Sequence, residues 1–492
     1  MLLQNNKDLA DLRKKNYKKI IGLCHGVFDI LHNGHIDHFK EAKKKCDILV
    51  VSITDDPFVK KGPHQPHNSS LKRIQVLDSL KIVDHIYINK YLTPIKLIST
   101  LKPDYYFKGH DYSKPDLTGN LKKENKAVKK NNGKLFITKT RIMSSTKILN
   151  NELIPWTVNQ KSFLKKINSE RSFDYIISQI NKLKNIKLNI IGEPIIDDYT
   201  YAKIVGLSSK DTALSGIVVS KDIIPGGVIP AAQIASLFVN KVNLYTYGEN
   251  KFIKKNLNKN IILTNIDHKQ LIQKKIRYVN NYRFQKILQL ANFEKNSFSL
   301  KIQKSIYYKI KKAFTSDLII CDFGLGLFDG IVIDMINNSK NPKYINVQSN
   351  SINFGFNLFT KYKKNKSIKY ISLNEREWKL GMKGLYENGR VFKKFLNPET
   401  SISVTLGKEG SNYYEGKKFF YCPVFVDKIV DTTGCGDAYF IITTLLKIVK
   451  TKPEFIPFLG NVYAGMHAMN VANKNIPSKI EYIKCIKSLL TF

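Results

Sequence analysis

Between residues 20 and 150, apolar strand-like segments alternate with segments of helical periodicity. IIGLCHGVFDI precedes the helix-like HIDHFKEAKKKC, and DILVVSIT precedes LKRIQVLDSLKIV. DHIYI, DYYFKG and KLFITKT are further strand candidates. Strands that alternate with helices form a parallel sheet with helices on its faces. The pattern therefore predicts an α/β fold for this part of the chain.

The chain of 492 residues is longer than one ordinary domain. Residues 151–186 are polar and lysine-rich with helical spacing, which predicts a connecting helical segment. A new strand begins at IKLNIIGEPIIDDY, and the rest has the size of one α/β domain. We therefore expect a first domain over 1–150, a helical linker over 151–186 and a second domain over 187–492.

The net charge of +40 raises the question of nucleic-acid binding. The lysines are spread along the whole chain among Asn and Ile, as in KKNNGK and NKNIIL, and they form no single cluster. A basic RNA-binding protein stays an alternative, but no RNA-recognition motif is present. We expect no nucleic-acid partner, and the positive field favours anionic substrates such as nucleotides and sugar phosphates.

The sequence contains no apolar run long enough to span a bilayer, and its first residues lack the apolar core of a signal peptide. Its six cysteines are scattered without a C-x-x-C pair. Reduced thiols in a cytoplasmic protein, with no membrane insertion, are the expectation.

Four of the ten histidines lie in CHGVFDILHNGHIDHF, residues 24–39. Gly34 allows a tight turn between His32 and His35, and the following helix points its N-terminus to the same place. Two imidazoles at a helix start can stabilise a phosphate in its transition state. Zinc binding and core packing are alternatives, and core packing is favoured for His25 and His38.

GVFDILHNGH resembles the G-x-F-D-x-x-H-x-G-H signature of the cytidylyltransferase-like nucleotidyltransferases, which have a Rossmann-like fold. SITDDPFVKKGP, LKRIQVLDSLKIVDHI, PDYYFKGHDY and MSSTKI resemble later motifs of the same family in the same order. The resemblance implies that a phosphate monoester attacks the α-phosphorus of CTP or ATP and that pyrophosphate leaves. One departure is Gln65, which stands where related sequences often carry arginine.

The resemblance assigns roles residue by residue. His32 and His35 would be catalytic, with no bound transition metal. The residues implied to bind the nucleotide or its phosphates are Gly26, Phe28, Lys61, Arg73, Ser144, Ser145, Thr146 and Lys147. The alternative for Arg73 is a solvated charge on a helix surface.

A second motif that can carry chemistry is DTTGCGDAYF, residues 431–440. Gly434, Cys435 and Gly436 would offer successive backbone N–H groups to a transferring phosphoryl group. Asp437, on the first turn of the following helix, can take a proton from an attacking hydroxyl. Turn and helix-cap chemistry is the alternative explanation of the same residues.

This segment resembles the D-T-x-G-A-G-D motif of the ribokinase-like (PfkB) carbohydrate kinases. IIGEPIIDDYTY, PGGVIPAA, DFGLGLF, NEREW, VTLGKEG and NVYAG resemble further motifs of that family in order. The resemblance makes Asp437 the catalytic base and implies sugar binding by Asp197, Gly226 and Gly227. It implies nucleotide or phosphate binding by Asn374, Glu377, Thr405, Gly407, Gly434, Cys435, Gly436 and Asn461.

Three departures concern the kinase motifs. Pro230 stands where the family usually has Asn, Glu193 replaces the first Asp, and Cys435 replaces a small Ala. A kinase-like domain kept as a scaffold is therefore an alternative to an active kinase.

Together the two halves resemble the bifunctional heptose kinase and heptose-phosphate nucleotidyltransferase (ADP-heptose synthase) family, with the domain order reversed. The resemblance implies synthesis of a nucleotide-activated sugar for a surface glycan such as lipopolysaccharide or capsule. It implies ATP or CTP and a sugar or sugar phosphate as substrates, with Mg²⁺ accompanying the nucleotide. A homodimer is a further expectation.

Overall fold

Two units make up the chain, and their boundary differs from the expected one. The computed structural model describes residues 1–60, 62, 65–110, 119–139, 145–168, 171–291, 298–350, 353, 355–362, 366–382, 397–426 and 428–491. The smaller unit comprises Met1–Trp156 and Lys487–Phe492, and the larger comprises Thr157–Ile486. The segment expected to be a linker is therefore divided, and most of it belongs to the larger unit.

The smaller unit contains a six-stranded parallel sheet of order β1-β4-β3-β2-β5-β6. Its strands are β1 (Leu2–Leu3), β2 (Ile21–Gly26), β3 (Ile48–Thr54), β4 (His85–Asn89), β5 (Tyr105–Lys108) and β6 (Lys134–Ile137). Its helices are α1 (Asn6–Lys15), α2 (Asn33–Lys43), α3 (Ser70–Asp78), α4 (Ile95–Leu101), α5 (Asn120–Lys130) and α6 (Ser145–Ile148). A five-residue π-helical turn, Leu149–Leu153, follows α6.

Alternate residues of each central strand pack on opposite faces of this sheet, because side chains alternate along a strand. Leu23 and Val50 join a buried cluster with residues of α1, α4 and α5. Cys24 and Val51, their neighbours in sequence, join a second cluster with residues of α2 and α3. Burial on both faces explains why the strands read as continuous apolar runs, and the predicted parallel α/β architecture is confirmed.

The larger unit contains thirteen strands in the part of the chain that the structure describes. They are β7 (Lys187–Gly192), β8 (Pro194–Leu207), β9 (Leu214–Gly227), β10 (Lys241–Thr246), β11 (Ile261–Asn265), β12 (Gln273–Asn280), β13 (Gln285–Ala291), β14 (Leu318–Asp322), β15 (Lys343–Val347), β16 (Ile368–Asn374), β17 (Ser401–Thr405), β18 (Ser411–Glu415) and β19 (Lys418–Cys422). Nine form a sheet of order β11-β10-β7-β14-β15-β16-β17-β18-β19, which is parallel except at β17–β18 and β18–β19. The other four form a smaller sheet of order β13-β12-β8-β9.

The helices of the larger unit are α7 (Val158–Ile167), α8 (Ser172–Lys182), α9 (Val228–Ser236), α10 (Asn250–Lys255), α11 (Leu300–Ile310), α12 (Gly330–Asn338), α13 (Glu375–Gly381), α14 (Cys435–Ile448), α15 (Phe455–Ala468) and α16 (Lys479–Leu489). The last three residues of α16 are assigned to the smaller unit. No described helix is long and apolar enough to cross a membrane.

Helices α7 and α8 lie in the segment expected to connect two domains, but both pack into the larger unit. The ring of Phe163 contacts Phe425 and Phe458, and Tyr175 contacts Phe455. The apolar faces of α7 and α8 are buried against the larger unit. The prediction of helices in this segment was therefore right, and the prediction that they only connect two domains was wrong.

Candidate active sites

His32 and His35 lie at the start of α2, after the loop that follows β2. His32 is the N-cap residue with an extended backbone, and its carbonyl accepts a hydrogen bond from the His35 N–H at 2.8 Å. The two imidazole rings stack with centroids 3.8 Å apart and an interplanar angle of 18°. The first N–H groups of a helix lack intrahelical partners and carry partial positive charge. Both imidazoles therefore lie beside a position that suits a phosphate.

Neither ring nitrogen of His32 has a hydrogen-bond partner among the described residues. Burial lowers the pKa of His32 below its ordinary value, so the ring is neutral at pH 7. A neutral imidazole still carries one N–H that can donate to a phosphate oxygen. The ring is thus held in place by stacking, and its two buried nitrogens have no partner among the described residues.

Phe28 and Gly26 shape the loop before these histidines. Phe28 has a left-handed backbone with φ 48° and packs edge-on against His35, with centroids 5.2 Å apart. A Cβ on Gly26 would lie 3.0 Å from the Phe28 ring. Both were expected to bind the nucleotide. Their contacts show a packing role beneath His35, and nucleotide contact stays a prediction.

His25 and His38, the other two histidines of this cluster, are packed in the core. The Nδ1 atom of His25 lies 3.2 Å from Ser52 Oγ, and that of His38 lies 2.8 Å from Thr138 Oγ1. Burial lowers their pKa values to about 3 and about 4. Among the described residues, no group of three or more His, Cys, Asp or Glu side chains is arranged to hold a metal ion.

Arg73 was expected to contact phosphate, and this contact stays a prediction. Its side chain is fully buried, and its guanidinium donates to the carbonyls of Val27, Thr54 and Asn68 at 2.7, 2.9 and 3.1 Å. It also donates to Asp56 Oδ1 at 2.5 Å. The alternative of a solvated helix charge is wrong, because the side chain is buried. Arg73 therefore connects three segments of the chain, because its planar guanidinium group reaches several acceptors at once.

The remaining predicted residues of this unit are only partly described. Lys61 and Ser144 lie outside the described residues. Ser145 begins α6, but its side chain is not described, whereas Thr146 is half-buried and Lys147 is exposed on the same helix. Their binding of a triphosphate stays a prediction.

The second site lies where parallel strands of the large sheet end. Glu193, Asp322, Gln348 and Asn374 come at or directly after the ends of the adjacent strands β7, β14, β15 and β16. Ligands of open parallel sheets bind at this carboxyl edge. Gln348 Nε2 donates to Asp437 Oδ1 at 2.6 Å, which brings the start of α14 to the same edge.

Two glycines, Gly434 and Gly436, shape the start of α14. Gly434 is the N-cap with φ 83°, and a Cβ there would lie 2.5 Å from Asn473 Oδ1. No atom lies within 4 Å of a Cβ built on Gly436, so there is free space beside the first turn. Burial raises the pKa of the Cys435 thiol to about 12, so Cys435 stays protonated at neutral pH and is no nucleophile. The geometry fits the predicted anion hole.

Asp437 is buried on the first turn of α14. Burial, together with the carboxylates of Glu377 and Asp197, raises its pKa to about 7 against the opposing effects of Lys275 and the Gln348 amide. A carboxylate with a pKa near neutrality is suited to accept a proton from a hydroxyl. Sequence reasoning missed Gln348 and Lys275. The position of Gln348 after a parallel strand was the available signal for it.

Asp197 was expected to bind sugar hydroxyls. It lies on β8 and forms a buried ion pair with Arg277 of β12, which sequence reasoning also missed. A Cβ on Gly226 would lie 2.5 Å from Asp197 Oδ2, and a Cβ on Gly227 would lie 2.3 Å from the Glu193 carbonyl oxygen. Both glycines are therefore required by close packing around Asp197 and Glu193. Sugar binding by these residues stays a prediction.

Glu193 was considered a departure on the sugar side, but its carboxylate has a structural task. It is fully buried and accepts hydrogen bonds from the backbone N–H groups of Phe323, Leu325 and Leu327 at 2.8, 3.0 and 2.8 Å. Burial and the neighbouring Asp322 raise its pKa to about 7. Pro230, the other departure on the sugar side, is buried in the first turn of α9. Glu193 therefore fixes the loop after β14 and is no substitute sugar ligand.

Asn374 and Glu377 form a reciprocal cap at the start of α13. Asn374 Oδ1 accepts from the Glu377 N–H at 2.8 Å, and Glu377 Oε2 accepts from the Asn374 N–H at 2.7 Å. Glu377 Oε1 also accepts from the Ser349 N–H at 3.1 Å. Burial raises the pKa of Glu377 to about 7. These hydrogen bonds hold the start of α13 and the segment after β15 together. Contact of Asn374 and Glu377 with phosphates stays a prediction.

Three further residues were expected to bind the nucleotide, namely Thr405, Gly407 and Asn461. Asn461 is buried, and its amide donates to the carbonyls of Cys422 and Pro423 at 2.8 and 3.2 Å. Both of its N–H groups are therefore engaged by the backbone, and contact of Asn461 with the nucleotide stays a prediction. Thr405 ends β17, and Gly407 has φ 60° in the turn that follows. Contacts of those two with nucleotide stay predictions.

Comparisons with known proteins agree with this division. Residues 23–151 match the cytidylyltransferase-like family. The bifunctional protein HldE of Campylobacter jejuni (strain RM1221) is 42% identical over 112 residues, 22% of this chain and 24% of that protein. The HldE of Helicobacter pylori (strain J99) is 40% identical over 123 residues, 24% and 26% of the two chains. The matched segment thus spans about a quarter of these relatives.

The larger part of the chain resembles solved kinases in fold alone. A phosphofructokinase-2 variant from Escherichia coli superposes with a TM-score of 0.50 at 13% identity, covering 62% of this chain and 99% of that one. Residues 23–151 of the smaller unit are thus similar to the cytidylyltransferase-like family, and the larger part of the chain has the fold of that phosphofructokinase-2.

Proposed function

We propose that the smaller unit transfers a nucleotidyl group from ATP or CTP to a sugar phosphate and releases pyrophosphate. The stacked pair His32 and His35 at the start of α2 supports this most directly. A phosphate oxygen of the sugar phosphate attacks the α-phosphorus, and the oxygen that bridges to the β-phosphorus leaves with pyrophosphate. The imidazole N–H groups and the helix N-terminus stabilise the charge that develops on the α-phosphoryl oxygens.

In the larger unit, we propose phosphorylation of a sugar or sugar phosphate by ATP. Asp437 accepts the proton of the attacking hydroxyl, whose oxygen forms a bond to the γ-phosphorus while ADP leaves. The N–H groups at Gly434–Gly436 stabilise the transferring phosphoryl group. Mg²⁺ would bind the ATP phosphates and neutralise part of their charge. The carboxylate of Glu377 is an oxygen donor of the kind that Mg²⁺ prefers.

The two reactions together make a nucleotide-activated sugar, and we place this activity in the cytoplasm, in the synthesis of a surface glycan. The alternative is a single transferase with a kinase-like scaffold. The specific observation that favours it is the ion pair of Asp197 with Arg277, which occupies the carboxylate expected to bind sugar. We propose no nucleic-acid partner. The homodimer also stays a proposal.

The direct test incubates the purified chain with ATP or CTP and a panel of sugars and sugar phosphates. Pyrophosphate and ADP are measured separately, and mass spectrometry identifies the products. Pyrophosphate without ADP for every sugar would establish the scaffold alternative. Neither product with any pair of substrates would contradict both proposed activities.

A further inference from the structure

Residues 487–491 complete the smaller unit although they lie more than three hundred residues from the rest of it in the sequence. Asn150 is 1% exposed, and its Nδ2 donates to the carbonyls of Ser488 and Thr491 at 2.8 and 2.7 Å. Gln65 Nε2 donates to Ser488 Oγ at 2.9 Å. One short segment therefore holds two distant parts of the nucleotidyltransferase-like fold.

The first of these parts follows the segment expected to grip the triphosphate. Asn150 lies in the π-helical turn Leu149–Leu153, which continues directly from α6 with Thr146 and Lys147. Because both N–H groups of the Asn150 amide are bound to carbonyls of 487–491, the position of this turn depends on that segment. A shift of the turn would displace α6.

The second part is connected to the histidine loop. Gln65 is followed by His67 and Asn68, whose backbone N–H groups donate to the Asp29 carboxylate at 2.7 and 2.8 Å. Asp29 lies in the loop between Phe28 and His32, and it is buried. The Ser488 hydroxyl thus holds the loop that contains Gln65. That loop is in turn bound, through Asp29, to the loop that precedes the two histidines.

We propose that residues 487–491 are a positioning segment for nucleotidyl transfer, which sets the distance between the histidine loop and α6. This inference rests on the transferase activity proposed above. Reacting groups must be held closely, and a displacement of about 1 Å can cost about 10²-fold in rate. The residue Gln65, which departs from the arginine of related sequences, is then explained as a partner of Ser488 and not as a phosphate ligand.

The test uses two small changes in the full chain. Ser488→Ala removes the partner of Gln65 and keeps the carbonyl that Asn150 uses. A chain that stops after Leu489 keeps α16 whole and loses the Thr491 carbonyl together with the buried side chain of Leu490. Matched controls are Ser79→Ala and Asn131→Ala, which remove local hydrogen bonds on α3 and at the end of α5 in the same unit.

Ser488→Ala should raise the KM for the nucleotide about 2- to 10-fold, as expected for one lost hydrogen bond, and the truncation should raise it at least as much. The combined variant should lose at least about tenfold in kcat/KM, while ADP formation and the controls stay at wild-type values. Amide hydrogen exchange over 145–153 should be faster in the combined variant, and this readout needs no activity.

The two proposals fail in different ways. Wild-type protein that releases no pyrophosphate contradicts the proposed function, and the exchange measurement then decides on the positioning segment alone. Unchanged KM and unchanged exchange over 145–153 would overturn the inference. A fall in kcat at constant KM, in proportion to the folded fraction, would also overturn it, because it would indicate support of the fold only.

Discussion

The imidazole of His32 stacks on that of His35 with ring centroids 3.8 Å apart, and neither nitrogen of His32 bonds to another described residue. His35 is in turn packed by the edge of Phe28. Ring contacts therefore hold both imidazoles, and neither ring nitrogen of His32 is used in a hydrogen bond to the described fold. This is the arrangement expected of a preorganised site for a charged transition state.

His32→Ala and His35→Ala should each lower kcat for nucleotidyl transfer by about 10²–10³, the usual effect of removing one donor to a developing oxyanion. The melting temperature should stay close to that of the wild type. The exposed His67 is the matched control, and His67→Ala should leave the rate unchanged. A loss below about threefold for both histidines would show that they do not contact the reacting phosphate.

Arg73→Met should destabilise the smaller unit by at least about 1–3 kcal/mol, because it leaves three carbonyls and the partly exposed Asp56 carboxylate without their donor. Chemical denaturation measures the free energy of unfolding, and Lys72→Met, on the exposed side of α3, is the control. A stable Arg73→Met protein with a higher KM for the nucleotide would instead support the original assignment to phosphate.

His38 should make stability depend on pH. Its pKa is about 4 in the folded protein because it is buried, and the unfolded value is about 6.5. Between these values the unfolded chain binds more protons, so stability decreases as pH falls from about 6.5 to about 4. At pH 5 the loss is about 2 kcal/mol.

Replacing His38 tests this directly. His38→Asn keeps a polar atom near the position of Nδ1 and should reduce the slope of unfolding free energy against pH, while the buried His25 ring keeps its own contribution of the same sign. An unchanged slope between pH 7 and pH 5 in His38→Asn would show that other groups carry the dependence.

In the kinase reaction, kcat/KM should rise with pH through about 7 as Asp437 loses its proton. The Gln348 amide stabilises the carboxylate, so Gln348→Met should move the midpoint to higher pH. Gln233→Met, whose wild-type amide bonds to the Asn256 carbonyl elsewhere in the unit, is the control. A midpoint shifted to lower pH, or no shift at all, would contradict the role given to Gln348.

The sequence was sufficient for the architecture because periodicity reports which faces are buried. Residues 21–26 and 48–54 read as continuous apolar runs, and both are central strands of a parallel sheet. The boundary of the units was harder to predict. The polar faces of α7 and α8 resemble a linker, and the apolar contacts of Phe163 and Tyr175 depend on residues near 425 and 455.

Side-chain roles were predictable only where the chemistry is local. Asp437 and His32 lie at helix starts, which a motif of a few residues specifies. The hydrogen-bond partners of Arg73 and Glu193 were not predictable, because they come from segments far away in the sequence that no local pattern indicates. The contacts of residues 487–491 have the same character, so a cut between 151 and 185 would leave the smaller unit without part of its fold.

The most direct test of two separate activities in one chain crosses two variants with two assays. Pyrophosphate release and ADP formation are measured for the wild type, His35→Ala and Asp437→Asn. Asp437→Asn keeps the shape of the side chain without its basicity. His35→Ala should abolish pyrophosphate release and spare ADP formation, and Asp437→Asn should do the reverse, with a loss of about 10²–10⁴. Loss of both activities in either variant, or of neither, would contradict the account.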